Sequence, residues 1–226
     1  MSCIVVGASV VFPDKKAASS FLSGRSLKKP CAQIHCELED GHERIIWIPV
    51  RVARLYLKNC PVLPCEWDEH RATVLALERR CALTMVIEML SRRDHATGEV
   101  RDKLERYGFS LSAIDYAIDR ATSLHYLNER RFCVYFIEER KRRGWGQRKI
   151  ENELKRRHVS IDEIPGYPEE YFAVEDDLER ATALLSKRSV PETRSFEKLV
   201  RFLMGKGYSY AIAADAAKAR IDDEIN

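Results

Sequence analysis

The chain has 226 residues, of which 45% are hydrophobic and 32% are charged, and its formal net charge is +3. This composition indicates a folded protein with an extensively charged surface, long enough for one sizeable domain or several small ones. The apolar opening from Cys3 to Phe12 is too short, and lacks the preceding positive residues, for a signal peptide or a membrane span. Seven cysteines, an odd count, then favour a reducing cytoplasm.

The first third of the chain predicts short strands followed by helices. The segment from Pro13 to Pro30 is rich in Lys, Ser and Gly and predicts a mobile leader. Glu39-Asp40-Gly41 predicts a hairpin turn between two strands. The predicted elements are strands over Ile4–Phe12, Ala32–Leu38 and Arg44–Val50, and helices over Val50–Lys58 and Asp68–Leu90.

Cysteines and histidines in this region raise the alternative of a zinc site. The residues concerned are Cys31, Cys36, Cys60, Cys65, His35, His42 and His70. Cys31 and Cys36 lie along a predicted strand and would point to opposite faces, whereas zinc knuckles place their cysteines around a turn. We therefore favour cysteines that pack as small apolar side chains, and we expect no metal ligand and no cofactor.

A sequence unit recurs with a period of about 50 residues, which is typical of stacked helical repeats. The three copies are Val100-x3-Leu104-x3-Gly108-Phe109, Ile150-x3-Leu154-x3-His158-Val159 and Leu199-x3-Leu203-x3-Gly207-Tyr208. Apolar residues four apart share one helix face, and glycine with a positive φ can close the helix. In the middle copy His158 stands where the other copies have glycine.

The middle copy predicts a helix, a tight turn around Gly144-Trp145-Gly146, and a second helix over residues 147–157. In the first helix, Phe132, Tyr135 and Phe136 have the spacing of a buried stripe. In the second, Ile150 and Leu154 face the core, and the opposite face is basic.

Residues 126–159 carry eleven Lys/Arg and five Asp/Glu, whereas residues 160–226 carry nine and fourteen. The aligned positions of the other copies do not keep the basic charge, so the fold does not require it. A basic helix face can be merely solvated, or it can contact DNA phosphates or an acidic protein surface. The candidate partner-binding residues are Arg140, Lys141, Arg143, Arg148, Lys149, Lys155 and Arg156.

The ordered motifs between residues 80 and 220 resemble the RecX regulatory family. The matching residues are Leu90, Ser91, Arg93, Glu99, Val100, Lys103, Leu104, Gly108, Phe109, Tyr126 to Glu129, Phe132, Cys133, Gly146, Lys149, Ile150 and Leu154. The resemblance implies a short strand-containing leader, helical repeats, and a modulator that binds the RecA filament on DNA and lowers RecA activity.

No phosphate loop, G-x-S-x-G elbow or H-E-x-x-H motif occurs in the chain, so we expect no enzyme and no catalytic residues. The predicted fold is mainly α, with three tandem three-helix repeats in an elongated arc after a small β-hairpin-containing region. We expect boundaries at residues 1–67, 68–125, 126–172 and 173–226, and a cytoplasmic monomer. The alternatives are a helix-turn-helix-like protein that binds DNA directly and a scaffold for another protein.

Overall fold

The computed structural model describes residues 3–14 and 28–225, so residues 15–27 of the predicted mobile leader lie outside the described part. The chain forms two compact units, Met1–Asn128 and Glu129–Asn226. The described residues are mostly helical with a small N-terminal sheet, which confirms the predicted fold class. Within these residues, no helix is both long and apolar enough to cross a membrane.

The first unit contains all of the described strands and the first four helices. The strands are β1 Ile4–Val11, β2 Cys31–Leu38, β3 Glu43–Pro49 and β4 Cys65–Glu66. The helices are α1 Val50–Tyr56, α2 Trp67–Leu90, α3 Thr97–Arg106 and α4 Leu111–Ser123.

The second unit contains five helices and a short 3-10 turn. The helices are α5 Glu129–Arg142, α6 Gln147–Arg156, α7 Val174–Ser186, α8 Ser195–Lys206 and α9 Tyr210–Ile225. The 3-10 turn, Ile161–Glu163, stands where the first and third repeats have the long helices α4 and α9. Pro165 and Pro168 follow it, and because proline has no N–H group a helix does not continue there.

The sheet has the strand order β3-β2-β1-β4, and its neighbouring strands are antiparallel. In β2, every second side chain is buried, as the period of two residues requires when one face of a sheet meets a core. These residues are Ala32, Ile34, Cys36 and Leu38. They share one apolar core with α1, α2, α3 and α4.

His70 lies in this core as a fully buried histidine. Its Nε2 is 2.9 Å from the Tyr56 hydroxyl, and its Nδ1 is 3.9 Å from the Cys36 sulfur. Burial raises the pKa of the Cys36 thiol to about 11, which disfavours the thiolate that a zinc ligand must supply. Among the described residues, no group of three or more His, Cys, Asp or Glu side chains is placed to hold a metal ion. Because Cys36, Tyr56 and His70 are all buried and in contact, they are part of the packed core.

Burial also lowers the pKa of His70 below its ordinary value, because the charged imidazolium would lose its hydration. The unfolded chain then takes up a proton near pH 6.5, the ordinary histidine pKa of about 6.5, while the native chain does not. The contribution of neutral His70 to the free energy of unfolding is therefore fully present above that pH. It falls as the pH decreases below it, with a slope of at most about 1.4 kcal/mol per pH unit.

We expect His70→Gln to remove this part of the pH dependence, as measured by urea unfolding between pH 5 and pH 8. His42→Gln is the matched control, because the His42 side chain is exposed, and it should retain the wild-type slope. Equal slopes for the wild type and His70→Gln would contradict the assignment.

The recurring sequence unit corresponds to one recurring structure at the ends of α3, α6 and α8. The residue that closes each helix has a left-handed conformation, with φ of 81° at Gly108, 57° at His158 and 98° at Gly207. The next residue is buried and donates its N–H to the carbonyl five residues earlier, the bond of a Schellman motif. These bonds are Phe109 to Leu104 at 3.2 Å, Val159 to Leu154 at 3.1 Å and Tyr208 to Leu203 at 3.2 Å.

Candidate functional site

The exposed face of α6 is basic. Ile150 and Leu154 are fully buried, and they fix which face of the helix meets solvent. The exposed residues are Arg148, Asn152, Lys155 and Arg156. Within residues 3–14 and 28–225, the side chains of Arg148 and Lys155 make no ion pair, and Arg156 lies 3.7 Å from Glu153 with 81% of its side chain exposed.

Both acidic residues of α6 lie at the edges of this face and form hydrogen bonds with other side chains of the second unit. Glu151 accepts hydrogen bonds from Gln147 and from the Tyr167 hydroxyl, each at 2.9 Å. Glu153 accepts one from Arg157 at 2.9 Å. Since these carboxylates are engaged beside the face rather than on it, they leave its positive charge largely uncompensated.

Two glycines fix the start of α6. The Gly146 N–H donates to the Lys206 carbonyl at 2.9 Å, and the Arg148 N–H donates to the Gly207 carbonyl at 3.1 Å. A Cβ on Gly146 would lie 2.5 Å from the backbone of Gly207 and Tyr208. The first N–H groups of α6 therefore find their partners at the C-terminal end of α8, where the helix dipoles also meet head to tail.

The other candidate cations have different surroundings. Arg140 and Lys141 are only 16% and 13% exposed, and they pair with Glu139 at 2.5 Å and with Glu138 at 3.0 Å. Arg143 is 64% exposed and also pairs with Glu139. The structure thus separates a solvent-facing set on α6 from an ion-paired set at and just after the end of α5.

Trp145 lies at the junction between these two sets. The Lys149 ammonium is 4.4 Å and the Arg140 guanidinium 5.0 Å from the centre of its ring. Such cation–π contacts place and orient both cations. The ring is therefore engaged by the protein's own side chains, in agreement with a packing role for Trp145.

One residue of the stripe predicted to be buried in the first helix of the middle copy is exposed. Tyr135 is 62% exposed, because the buried stripe of α5 runs through Phe132, Cys133, Phe136 and Ile137.

The sequence does not predict the packing roles of two further residues, Glu78 and Ser110. Glu78 is buried in α2 and accepts hydrogen bonds from the backbone N–H of Ser110 at 2.7 Å and from its hydroxyl at 2.8 Å.

A signal for the second residue was present in the sequence. Serine follows the buried apolar residue in all three repeats, at positions 110, 160 and 209. Ser110 caps α4 through the Ala113 N–H, and Ser209 accepts from the Ile212 N–H at 3.3 Å at the start of α9. The aligned serines therefore mark where a third helix begins in two of the repeats.

Two segments of the chain match family models of RecX domains. Residues 82–120 match the first three-helix domain of RecX, and residues 128–164 match the second. The fold is also that of RecX crystal structures. The RecX of Lactobacillus salivarius has a TM-score of 0.56 at 18% identity and covers 64% of this chain and 97% of its own. A second crystal structure of regulatory protein RecX has a TM-score of 0.55 at 14% identity, covering 94% and 97%.

The sequence relatives then identify the family. Regulatory protein RecX of Vibrio campbellii is 31% identical over 130 residues, which cover 55% of this chain and 81% of that protein. Regulatory protein RecX of Clostridium botulinum (strain Eklund 17B / Type B) is 30% identical over 148 residues, covering 62% and 68%. The chain belongs to the RecX family of regulatory proteins, as the sequence motifs predict.

Two glycine substitutions two residues apart test the contact that holds α6. A Cβ on Gly207 would lie 2.6 Å from the Lys149 backbone nitrogen, and the φ of 98° disfavours any other residue. We expect Gly207→Ala to lower the free energy of unfolding by more than about 1 kcal/mol. Gly205 lies inside α8 with open space around it, so Gly205→Ala should raise that free energy by about 0.5–1 kcal/mol.

Denaturant unfolding of both variants gives the measurement. A destabilisation of similar size in both would show that any added methyl group at the end of α8 is harmful, and the specific role of the Gly146–Gly207 contact would then be excluded.

Proposed function

We propose that this chain is a non-enzymatic regulator that binds the RecA filament on DNA as a monomer and inhibits the ATPase, recombinase and coprotease activities of RecA. The observation that carries the proposal is the solvent-facing cation set of α6, Arg148, Lys155 and Arg156, with its two acids turned to the edges. Membership of a family of regulatory proteins supports the regulatory role.

The chemistry of this face suits an anionic partner. Guanidinium groups form charge-assisted, often bidentate, hydrogen bonds with carboxylates and phosphates, and lysine adds a compact positive charge. A RecA filament on DNA offers both kinds of anion. The face has no catalytic machinery, so its effect on RecA comes from binding alone.

The test is the charge reversal Arg148→Glu, Lys155→Glu and Arg156→Glu in one variant, assayed by RecA ATPase on single-stranded DNA at physiological salt. If each surface contact contributes about 0.5–1 kcal/mol, the variant needs at least roughly tenfold more protein for half-inhibition. Lys149 stays unchanged, because it contacts Trp145 inside the unit.

The matched control is the triple reversal of Lys187, Arg201 and Lys218, three exposed cations of the same unit outside α6. It changes the net charge by the same amount and should inhibit like the wild type. Both variants should keep the wild-type circular dichroism spectrum. Undiminished inhibition by the α6 variant would exclude this face as the contact surface.

The second candidate function is direct action on DNA, and the composition of the α6 face favours it in one respect. The face consists of cations and Asn152, with no exposed aromatic residue of the kind that anchors protein–protein interfaces. Direct action requires tight binding to naked DNA that weakens steeply with salt. Inhibition of RecA at concentrations where naked DNA stays unbound would leave the filament as the target.

A further inference from the structure

A second basic surface lies in the first unit, between α1 and α2. It is an open groove of about 280 Å³. Its lining residues are Arg51, Arg54, Leu55, Lys58, Arg80, Cys81 and Thr84. Four of these seven are cations, and among the described residues that line the groove there is no acid. The groove therefore differs in charge from the first unit's larger cleft, where acidic and basic residues are mixed.

The core of the first unit determines where these cations lie. Val52, Ala53 and Tyr56 of α1 are buried, so Arg51 and Arg54 are left on the exposed side of the same helix, and Lys58 follows in the turn after its end. With a rise of about 1.5 Å per residue, Arg51 and Arg54 lie roughly 4.5 Å apart along the helix. Arg80 and Thr84 form the opposite wall, one turn apart on α2.

The groove keeps most of its charge unneutralised. Arg51 is held in place by Glu88, whose two carboxylate oxygens accept hydrogen bonds at 2.8 Å and 2.5 Å. Arg54, Lys58 and Arg80 are exposed and make no ion pair within residues 3–14 and 28–225. Like charges gathered without counter-charges repel one another, and an anion in the groove would remove that repulsion.

We propose that this groove binds the phosphodiester backbone of a nucleic acid strand. Cations spaced by roughly 4.5 Å along α1 can meet successive phosphates, because the charges of one DNA strand follow each other every 3.4 Å or so along the duplex axis. The Thr84 hydroxyl adds a polar group to the wall. None of the lining side chains is aromatic, and contacts made by cations alone position a backbone without reading its bases.

A protein partner fits the groove less well. Interfaces between proteins are anchored by buried aromatic or apolar side chains, and lysine is depleted from them. Here the apolar contribution is limited to Leu55 and the buried Cys81. The four cations also precede residues 82–120 and 128–164, the ranges matched to the RecX domains, so the charge of the groove lies outside those ranges and the inference does not rest on the proposed function.

The experiment is fluorescence anisotropy of labelled single-stranded and duplex oligonucleotides over a salt series, with Arg54→Gln, Lys58→Gln and Arg80→Gln combined. The slope of log K against log salt should become shallower by roughly 2 for the single strand and roughly 3 for the duplex, from about 0.7 and 0.9 per lost contact. Arg71→Gln, Arg120→Gln and Lys218→Gln remove the same charge at exposed sites elsewhere, and this control should keep the wild-type slope.

A second variant keeps the charge while changing the shape of the groups. Arg54→Lys with Arg80→Lys should retain the wild-type salt slope, since each lysine still meets one phosphate. An unchanged slope in the triple Gln variant, equal losses in that variant and its control, or no nucleic acid binding by the wild type would each overturn the proposal. RecA inhibition by the same proteins is a separate readout. The experiment can therefore contradict nucleic acid binding by the groove without contradicting RecA inhibition through the α6 face, and the reverse.

Discussion

The backbone contact between Gly146 and Gly207 determines where the basic helix lies in the second unit. Two hydrogen bonds, at 2.9 Å and 3.1 Å, join the start of α6 to the end of α8, and neither glycine has room for a side chain. Because the first N–H groups of α6 are satisfied by protein carbonyls, the helix start is buried and fixed. The solvent-facing cations then follow from the helix period alone, since Ile150 and Leu154 point to the core.

The left-handed helix end of the recurring sequence unit is present in all three repeats, yet each repeat uses it differently. In the first repeat, Glu78 of α2 binds Ser110 and thereby joins α2 to the start of α4. In the third repeat, Gly207 closes α8, and its carbonyl also accepts a hydrogen bond from the Arg148 N–H at the start of α6. The middle repeat adopts the turn with His158 at φ of 57° and has a 3-10 turn in place of a third helix. A common scaffold thus leaves the surface of α6 free to differ in charge.

Each unit has a basic surface among its described residues. On α6 the acids sit at the edges and bind Gln147, Tyr167 and Arg157. Beside the groove of α1 and α2, Glu88 holds one of the lining cations, Arg51. Elsewhere at the end of α5 the cations are paired and shielded, as for Arg140 and Lys141. Charge density in the sequence therefore overstates the charge that a partner can reach, because burial and pairing remove part of it.

The sequence by itself determined most of the helices, three of the four described strands and the family, because these depend on local periodicity and motif order. The α2 prediction over residues 68–90 differs from Trp67–Leu90 by one residue. Only the tertiary structure decided which cations are accessible, that Tyr135 faces solvent, and that Arg51, Arg54, Lys58 and Arg80 share one groove. Those outcomes depend on how elements distant in sequence pack. A helix period gives relative directions around one axis, and packing alone selects the direction that becomes the core.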